Sequence, residues 1–235
     1  MGKPDIIYED NDIIVCYKPA GIATQTRRIG QQDMESFIRN YRAAKNEPPY
    51  VGIVHRLDQP VEGVMVFAKN QKAAASLSRQ IKEHTTEKYY HAASRGHGVS
   101  GADNKEDNHD PAWHTLTDYI SFDKRTNTSK ITSEKDRQAK KAVLQYRILS
   151  NECNKTEFDI KLLTGRHHQI RLQLANIGYP LIGDTKYGKP ASNNSGTGSK
   201  SGRIGGGVRE QLALCSYKLV FDHPATGERM TFELP

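Results

Sequence analysis

Asp58 lies two residues after Arg56, in a polar segment that separates two short apolar runs at 50–54 and 64–68. An aspartate can serve as a nucleophile or a general base when a nearby cation keeps it ionised in a dry pocket. Polar loops between buried strands often carry functional residues. An aspartate near an arginine is also common in surface ion pairs that only rigidify a turn. From these residues alone, both interpretations of Asp58 remain open.

A second candidate group lies at 164–171, where a strand is predicted to end and a helix to begin. Arg166 and Gln169 could bind a phosphate there, because backbone N–H groups and the helix dipole favour an anion at a helix N-terminus. The adjacent His167 and His168 raise the alternative of a metal site. Zinc needs further ligands at characteristic spacings, and the sequence has neither a His-Glu-x-x-His motif nor a cysteine cluster. We therefore expect no bound metal.

Several common cofactor signatures are missing. The glycines at 205–207 are not followed by Lys-Ser/Thr, and Gly63 has no companion glycines, so neither a P-loop nor a dinucleotide fingerprint is present. Cys16, Cys153 and Cys215 are too widely spaced to form a metal or redox pair, and we expect them to be small buried hydrophobic residues. The sequence predicts no cofactor.

The chain has 235 residues, of which 36% are hydrophobic and 26% are charged, and its formal net charge is +7. This length and composition predict one large domain or two small ones, with a sizeable hydrophobic core. A moderate excess of positive charge is compatible with nucleic-acid binding but does not require it. Because no apolar run is long enough for a membrane-spanning helix and no secretory signal is recognised, we expect a soluble, cytoplasmic protein.

Hydrophobic periodicity predicts the elements that must position the candidate residues. Apolar residues spaced three and four apart predict helices at 34–45, 71–84 and 168–177. Runs rich in β-branched and aromatic residues predict an opening hairpin at 6–17 and strands at 50–54, 64–68, 88–93, 116–122, 143–149, 158–163, 212–221 and 230–234. Because strands and helices do not alternate regularly, the pattern favours an α+β fold with a mostly antiparallel sheet.

Three polar segments interrupt this pattern. The segment 96–111 is acidic and contains histidines, and we expect its acidic part at 103–110 to form a solvated face. The segment 123–141 is basic. The segment 189–207 contains six glycines and four serines, a composition typical of a mobile loop.

Five parts of the sequence resemble motifs of the RluA-type RNA pseudouridine synthases, and they occur in the family's order. They are residues 8–10 with 18–21, residues 55–58 with 63–69, residues 88–92, residues 165–188 and residues 223–228. The resemblance covers nearly the whole chain. It favours the catalytic interpretation of Asp58 over the surface ion pair.

The resemblance implies a pseudouridine synthase fold, with a mixed, mostly antiparallel central sheet, flanking helices and a central catalytic cleft. It also implies isomerisation of a uridine within RNA, in which the N-glycosidic bond breaks, the uracil turns and C5 bonds to ribose C1′, without cofactor or metal. Asp58 matches the family's catalytic aspartate. The role of that aspartate is debated between attack at C1′ and removal of a proton from C2′.

The resemblance assigns roles to further residues. Tyr90 matches the active-site tyrosine, which packs on the uracil and is a candidate to take the C5 proton. Arg171 matches the arginine that pairs with the aspartate, and we expect it to keep Asp58 ionised. Arg56 matches the arginine associated with displacement of the target nucleotide. The other expected substrate-binding residues are His55, Arg166, Gln169, Ile170 and Leu172, the last two as apolar walls of the pocket.

The chain departs from the family's pattern at two places. Val61 and Glu62 stand where the family usually has Thr-Ser. Glu62 could repel phosphate, shift substrate choice or point into solvent, and we expect the last. His167 stands where threonine or serine is common, which affects the phosphate contacts expected there.

We expect a single catalytic domain over 1–235 that acts as a monomer, without an N-terminal accessory RNA-binding domain. RNA capture would then rely on the catalytic domain itself. The candidate basic residues for this capture are Lys82, Lys88, Arg166 and Lys186, together with the loop at 189–207.

The predicted activity is pseudouridine formation in structured RNA, either rRNA or tRNA, with rRNA favoured. The main alternative is a catalytically impaired RNA-binding protein of the same fold, in which Val61 and Glu62 mark the lost activity. A basic DNA-binding module is a third possibility, but the sequence contains no helix-turn-helix or finger pattern.

Overall fold

The computed structural model describes residues 4–26, 28, 30–95, 110–152, 154–188 and 210–235. The loop predicted at 189–207 and Cys153 lie outside these ranges, and so does most of the acidic segment at 96–111. Within the described ranges the chain forms eleven strands and three helices. The strands are β1 (Asp5–Glu9), β2 (Ile13–Lys18), β3 (Gly52–Ile53), β4 (Glu62–Ala68), β5 (Glu87–Arg95), β6 (Asp110–Asp123), β7 (Thr128–Thr132), β8 (Lys140–Glu152), β9 (Lys155–Leu162), β10 (Leu214–Asp222) and β11 (Arg229–Glu233). The helices are α1 (Met34–Ala44), α2 (Gln71–Lys82) and α3 (Gln169–Asn176).

The three predicted helices are confirmed, with ends within two residues of the predicted ones. Local capping explains where α1 and α2 begin. The side chain of Asp33 accepts a hydrogen bond from the Ser36 N–H, and that of Asn70 accepts one from the Ala73 N–H. Each cap satisfies a backbone donor that the first helical turn leaves unpaired.

All eleven strands belong to one sheet, in the order β1-β2-β4-β10-β5-β9-β8-β6-β7, with β11 paired to β10 and β3 paired to β4. The pairing of β4 with β10 is parallel, and the other pairings of the described strands are antiparallel. This confirms the predicted mixed, mostly antiparallel sheet. β10 joins the part of the sheet that contains β1 to β4 to the part that contains β5 to β9.

β4 and β10 approach each other closely at Gly63. This residue has a φ of +138°, and a Cβ atom placed on it would lie 2.2 Å from the carbonyl oxygen of Ser216 in β10. No L-residue with a side chain fits such a contact. A glycine here is therefore required for the two strands to pair.

The helices α1 and α2 pack on opposite faces of the sheet around β2 and β4. Side chains alternate along β4, so Met65 belongs to the core cluster that includes α1, whereas Val64 and Val66 belong to the cluster that includes α2. α3 joins the first cluster through Ile170 and Leu174. No helix in the described part of the chain is both long and apolar enough to cross a membrane.

β7 was not predicted, because its segment was interpreted only as part of a polar insertion. Its five residues include a single apolar residue, Ile131, and the strand pairs only with β6 at the edge of the sheet. The turn before it contains Asn127 in the left-handed region, with a φ of 52°. Asparagine tolerates this conformation better than most residues, which is the local sequence signal for the turn.

The turn before β2 and the turn before β11 are joined by a hydrogen-bonded pair. His223 Nε2 lies 2.9 Å from Asp10 Oδ2. The other oxygen of Asp10 accepts hydrogen bonds from the backbone N–H groups of Asp12 and Ile13. This hydrogen bond connects the hairpin of β1 and β2 to the hairpin of β10 and β11.

Candidate active site

Asp58, Tyr90 and Arg171 line one cavity of about 650 Å³, although they are far apart in the sequence. Asp58 comes from the connection between β3 and β4, Tyr90 from β5 and Arg171 from α3. The other predicted site residues that line the cavity are His55, Arg56, Arg166, Gln169 and Ile170. The structure therefore brings together all of the predicted site residues except Leu172.

The loop that carries Asp58 is held on both sides of this residue. On one side, the Thr24 hydroxyl donates to the Leu57 carbonyl oxygen at 3.0 Å and accepts the Leu57 N–H at 3.2 Å. On the other side, the Val61 N–H donates to the Asp58 carbonyl oxygen at 3.0 Å. These contacts fix the backbone and leave the Asp58 side chain 28% exposed to the cavity.

Lys18 is a second anchor of this loop, and sequence reasoning missed it. Its side chain is fully buried at the end of β2, and Nζ donates to the carbonyl oxygens of Pro19, Gln59 and Val61. Burial lowers the pKa of Lys18 to about 8, although Asp58 and Glu62 oppose this shift. The motif at 18–21 includes this lysine, but its sequence does not show that the side chain folds back onto the Asp58 loop.

Arg171 is bound principally by Asp184, a partner that was not predicted, and it also forms the predicted contact with Asp58 at a longer distance. Arg171 Nε and Nη2 lie 2.8 and 2.7 Å from the two oxygens of Asp184, whereas Nη1 is 3.5 Å from Asp58 Oδ2. Burial alone would raise the pKa of Asp184, but the guanidinium and the N–H groups of Lys186 and Tyr187 hold it below its usual value. The bidentate pair fixes the plane of the guanidinium and aims its third nitrogen at Asp58.

His168 also faces the candidate catalytic carboxylate, with Nε2 3.5 Å from Asp58 Oδ2. Its Nδ1 lies 2.9 Å from the Tyr187 hydroxyl, which already accepts the Ser129 N–H. When the Tyr187 hydroxyl donates to Nδ1, the imidazole carries its own proton on Nε2, the nitrogen that faces Asp58. Burial, together with the charge of Arg171, lowers the pKa of His168 to about 3. The imidazole is therefore neutral, and its Nε2 is directed at Asp58.

Tyr90 lies in the wall of the cavity and is only 6% exposed. Burial raises the pKa of Tyr90 to about 12, and the charge of Asp58 acts in the same direction. The side chain is therefore a neutral phenol at physiological pH. Its ring presents an apolar surface of the kind on which a base can stack.

Two predicted arginines lie at the edge of the cavity. Arg56 is exposed, and its Nη2 donates to Gln25 Oε1 at 3.1 Å. Arg166 is half-buried, and its Nε donates to the Lys141 carbonyl oxygen at 2.9 Å. In the described part of the chain, neither arginine is paired with a carboxylate.

His55 and Gln169 line the cavity, but their polar atoms are engaged within the protein. His55 Nε2 accepts the Val66 N–H of β4 at 3.1 Å. Gln169 Oε1 accepts hydrogen bonds from the Thr164 hydroxyl and the Arg166 N–H. Both side chains hold the walls of the cavity in place, and a role of either in binding substrate stays a prediction.

Leu172 does not line the cavity, so its prediction as a pocket wall is wrong. Ile170 does line it. Leu172 is two residues further along α3, which turns its side chain by about 200° around the helix axis. Besides Ile170, the apolar wall includes residues of the loop and the sheet, among them Leu57, Val61, Leu162 and Leu214.

Glu62 does not point into solvent, and that prediction is also wrong. Its carboxylate is half-buried and accepts hydrogen bonds from the Tyr17 hydroxyl at 2.8 Å and from Gln211 Nε2 at 3.2 Å. Alternation along β4 places Glu62 on the same face as Val64 and away from Met65. It lines a separate groove with His91 and Cys215 and is absent from the lining of the Asp58 cavity.

His167 attaches the hairpin of β6 and β7 to the segment that precedes α3. Its ring packs on Phe122, with 4.2 Å between the ring centroids. The Ser129 hydroxyl donates to the His167 carbonyl oxygen at 2.8 Å and lies 3.0 Å from Nδ1, so Nδ1–H donates back to it. The hairpin of β6 and β7 thus holds the segment that precedes α3 from outside the cavity.

The remaining basic residues predicted to capture RNA are distributed unevenly. Lys88 lines the cavity. Lys82, at the end of α2, and Lys186 are exposed and do not line it. Lys186 Nζ donates to the Asn127 carbonyl oxygen, in the turn before β7.

We expect the free energy of unfolding to fall as the pH decreases from 7 to 5. Burial lowers the pKa of His55 to about 3, whereas an unfolded histidine titrates near 6.5. The unfolded chain therefore binds more protons in this window, which favours unfolding at the lower pH. Chemical denaturation should show that His55 contributes about 2 kcal/mol to this loss. His55→Gln should lose that part of the pH dependence, and an unchanged dependence would contradict the assignment.

The comparison with known families and proteins agrees with this geometry. The family model described as RNA pseudouridylate synthase matches residues 12–176. The ribosomal large subunit pseudouridine synthase D of Vibrio cholerae serotype O1 is 32% identical, over 98% of this chain and 67% of that protein. The protein of the same description from Neisseria meningitidis serogroup B is 31% identical, over 98% of this chain and 58% of that protein. The chain thus spans about two thirds of the length of such relatives, or less.

A solved structure with a similar fold is that of human RNA pseudouridylate synthase domain containing 4. The TM-score is 0.70, and the match covers 98% of this chain and 88% of that chain. The sequence identity is 19%. This likeness confirms the predicted fold class.

Proposed function

The chain belongs to the RluA-type RNA pseudouridine synthase family, and from this membership we propose that it isomerises uridine in RNA to pseudouridine, with Asp58 as the catalytic carboxylate. One observation carries the proposal. In the cavity shared with Tyr90, Asp58 Oδ2 faces both Arg171 Nη1 and His168 Nε2, each at 3.5 Å. These two contacts to one oxygen orient the carboxylate.

The arrangement of these donors leaves the other oxygen of Asp58 for the substrate. Both contacts are to Oδ2, and no described residue donates a hydrogen bond to Oδ1. A ribose beside Oδ1 could be attacked at C1′ or lose its C2′ proton, and both reactions need an ionised carboxylate. The N–C1′ bond breaks, the uracil turns, and C5 bonds to C1′. On the attack route this step breaks the bond between Asp58 and C1′; on the other route C2′ regains its proton. C5 then loses its proton, and N1 gains one.

Tyr90 is proposed to support the uracil as it turns. A neutral, buried phenol ring can stack on an extruded base. Because the pKa of Tyr90 is raised to about 12, the phenol is already protonated at neutral pH. It can accept the C5 proton only if it gives up its own proton at the same time. Stacking is therefore the role that its environment supports best.

Arg56 is proposed to take the place of the nucleotide that leaves the RNA stack. It is exposed at the edge of the cavity, and a single hydrogen bond from Nη2 to Gln25 holds it. A planar guanidinium can stack between bases, whereas a lysine ammonium cannot. The loop that carries Asp58 thus also supplies the group that would fill the gap.

We propose ribosomal RNA as the favoured substrate and transfer RNA as the second candidate, with no cofactor or metal and with the protein acting as a monomer. The relatives from Vibrio cholerae and Neisseria meningitidis are both described as ribosomal large subunit pseudouridine synthases. The cavity is lined by Arg56, Lys88, Arg166 and Arg171, with Asp58 as the acidic residue among the lining groups. This excess of positive charge suits a polyanion.

The alternative of an RNA-binding protein that has lost activity depends on Val61 and Glu62. Glu62 is held outside the cavity by Tyr17 and Gln211. Val61 is buried, and its backbone binds Lys18 and Asp58. Neither residue therefore blocks the site, which favours the catalytic proposal.

A direct assay tests the proposal. Total RNA from a strain that lacks the gene is incubated with the purified protein, and pseudouridine is mapped in the product. We expect new pseudouridine at one or a few positions, most of it in rRNA. Binding of RNA without any pseudouridine would overturn the proposed activity and favour the impaired RNA-binding protein.

A further inference from the structure

Lys88 is a half-buried cation in the candidate active site. It precedes Tyr90 by two residues in β5, so both side chains extend from the same face of the strand, and both line the cavity. Burial lowers the pKa of Lys88, and no acidic group opposes this shift. Within the described ranges, its ammonium group has neither a carboxylate nor a carbonyl partner.

The other buried or half-buried lysines of the described chain are all paired. Lys18 donates to three carbonyl oxygens, Lys69 to Glu9 and Glu47, Lys161 to Glu87, and Lys218 to Glu233. Removing a cation from water without a partner costs free energy. No described residue offsets this free-energy cost at Lys88, as expected of a group that binds an anion.

The space beside Lys88 is open. A Cβ atom placed on Gly165 would lie 3.7 Å from Lys88 Nζ and would meet no other atom within 4 Å. The next residue, Arg166, uses Nε to bind the Lys141 carbonyl oxygen, and no described residue pairs with its terminal amino groups, which can therefore bind a ligand. The nearby His55 adds no charge, because its pKa is about 3.

We propose that Lys88, together with Arg166, binds a phosphate of the RNA backbone adjacent to the uridine that enters the cavity. The inference rests on the proposed function, because that function places a nucleotide beside Asp58. Every internal nucleotide carries a phosphate on each side, and contacts to phosphates fix the register of a nucleic acid. Lys88 thus acts as a positioning group for the target nucleotide.

Binding of small nucleotides tests this site without knowledge of the natural RNA. Uridine, uridine 3′-monophosphate and uridine 5′-monophosphate are titrated by calorimetry against the wild-type protein, Lys88→Met and Lys88→Arg. We expect one of the two monophosphates to bind about tenfold more tightly than uridine. Lys88→Met should abolish this difference while leaving the affinity for uridine unchanged, and Lys88→Arg should retain most of it.

Two controls separate binding from folding. Lys72→Met removes an exposed lysine of α2 and should leave all three affinities unchanged. Thermal unfolding of Lys88→Met should occur at the wild-type temperature or above it, because an unpaired charge has been removed. A lower temperature would show that Lys88 supports the fold, and would overturn the proposal.

The possible failures are distinguishable. Equal affinity of the wild-type protein for uridine and both monophosphates, or an unchanged phosphate preference in Lys88→Met, would overturn the phosphate site even if the protein makes pseudouridine. A preference that depends on Lys88 in a protein that makes no pseudouridine would instead support the site and overturn the proposed function.

Discussion

Asp58→Asn is expected to abolish pseudouridine formation while leaving the fold intact. Asparagine keeps the shape of the side chain but removes the charge that attack at C1′ or proton removal at C2′ requires. We expect the rate to fall by at least about a thousandfold. The measurement is pseudouridine formed under single-turnover conditions, with enzyme in excess over the RNA.

The stability of Asp58→Asn should stay within about 1 kcal/mol of the wild type, because the carboxylate is 28% exposed and its ionic contacts are long. Asp5→Asn, at an exposed aspartate of β1, is a matched control and should retain full activity. Normal turnover by Asp58→Asn would disprove the role of this residue, even if the protein is a pseudouridine synthase.

Asp184→Asn is expected to have the largest effect on stability. The side chains of Asp184 and Arg171 are 0% and 5% exposed, so this substitution leaves a buried guanidinium without its main partner. Breaking a buried pair from one side costs about 3–5 kcal/mol. Urea denaturation should detect this loss, and turnover should fall because Arg171 no longer has a fixed orientation toward Asp58.

A double variant distinguishes the loss of the pair from general damage. Adding Arg171→Met to Asp184→Asn removes the unpaired charge, so part of the lost stability should return. Activity should not return, because the guanidinium that faces Asp58 is gone. If Asp184→Asn alone is as stable as the wild type, the pair does not hold Arg171 as we describe.

The fold was largely predictable from the sequence where local patterns dominate. The three helices have clear apolar stripes, and polar caps such as Asp33 and Asn70 precede two of them. β7 has no such pattern. It exists because β6 supplies a pairing edge and because Ser129 binds the segment before α3, and neither contact is visible in a local window.

The candidate site was predictable to the extent that its residues lie in recognisable motifs. Asp58, Tyr90 and Arg171 each occupy such a motif, and the structure brings them to one cavity. The roles of Lys18 and Asp184 were not predictable, because they depend on what lies nearby after folding. Lys18 donates across 43 residues to Val61, and Asp184 binds two nitrogens of the guanidinium whose third nitrogen faces Asp58.

The place of β10 in the sheet has a consequence for protein synthesis. β4 follows the Asp58 loop, and β5 contains Tyr90. β10, the tenth of the eleven described strands along the chain, lies between them in the sheet. Before β10 is available to pair, no described strand joins β4 to β5. The cleft can therefore assemble only after residues 214–222 have been synthesised, which makes its formation a late and non-local step of folding.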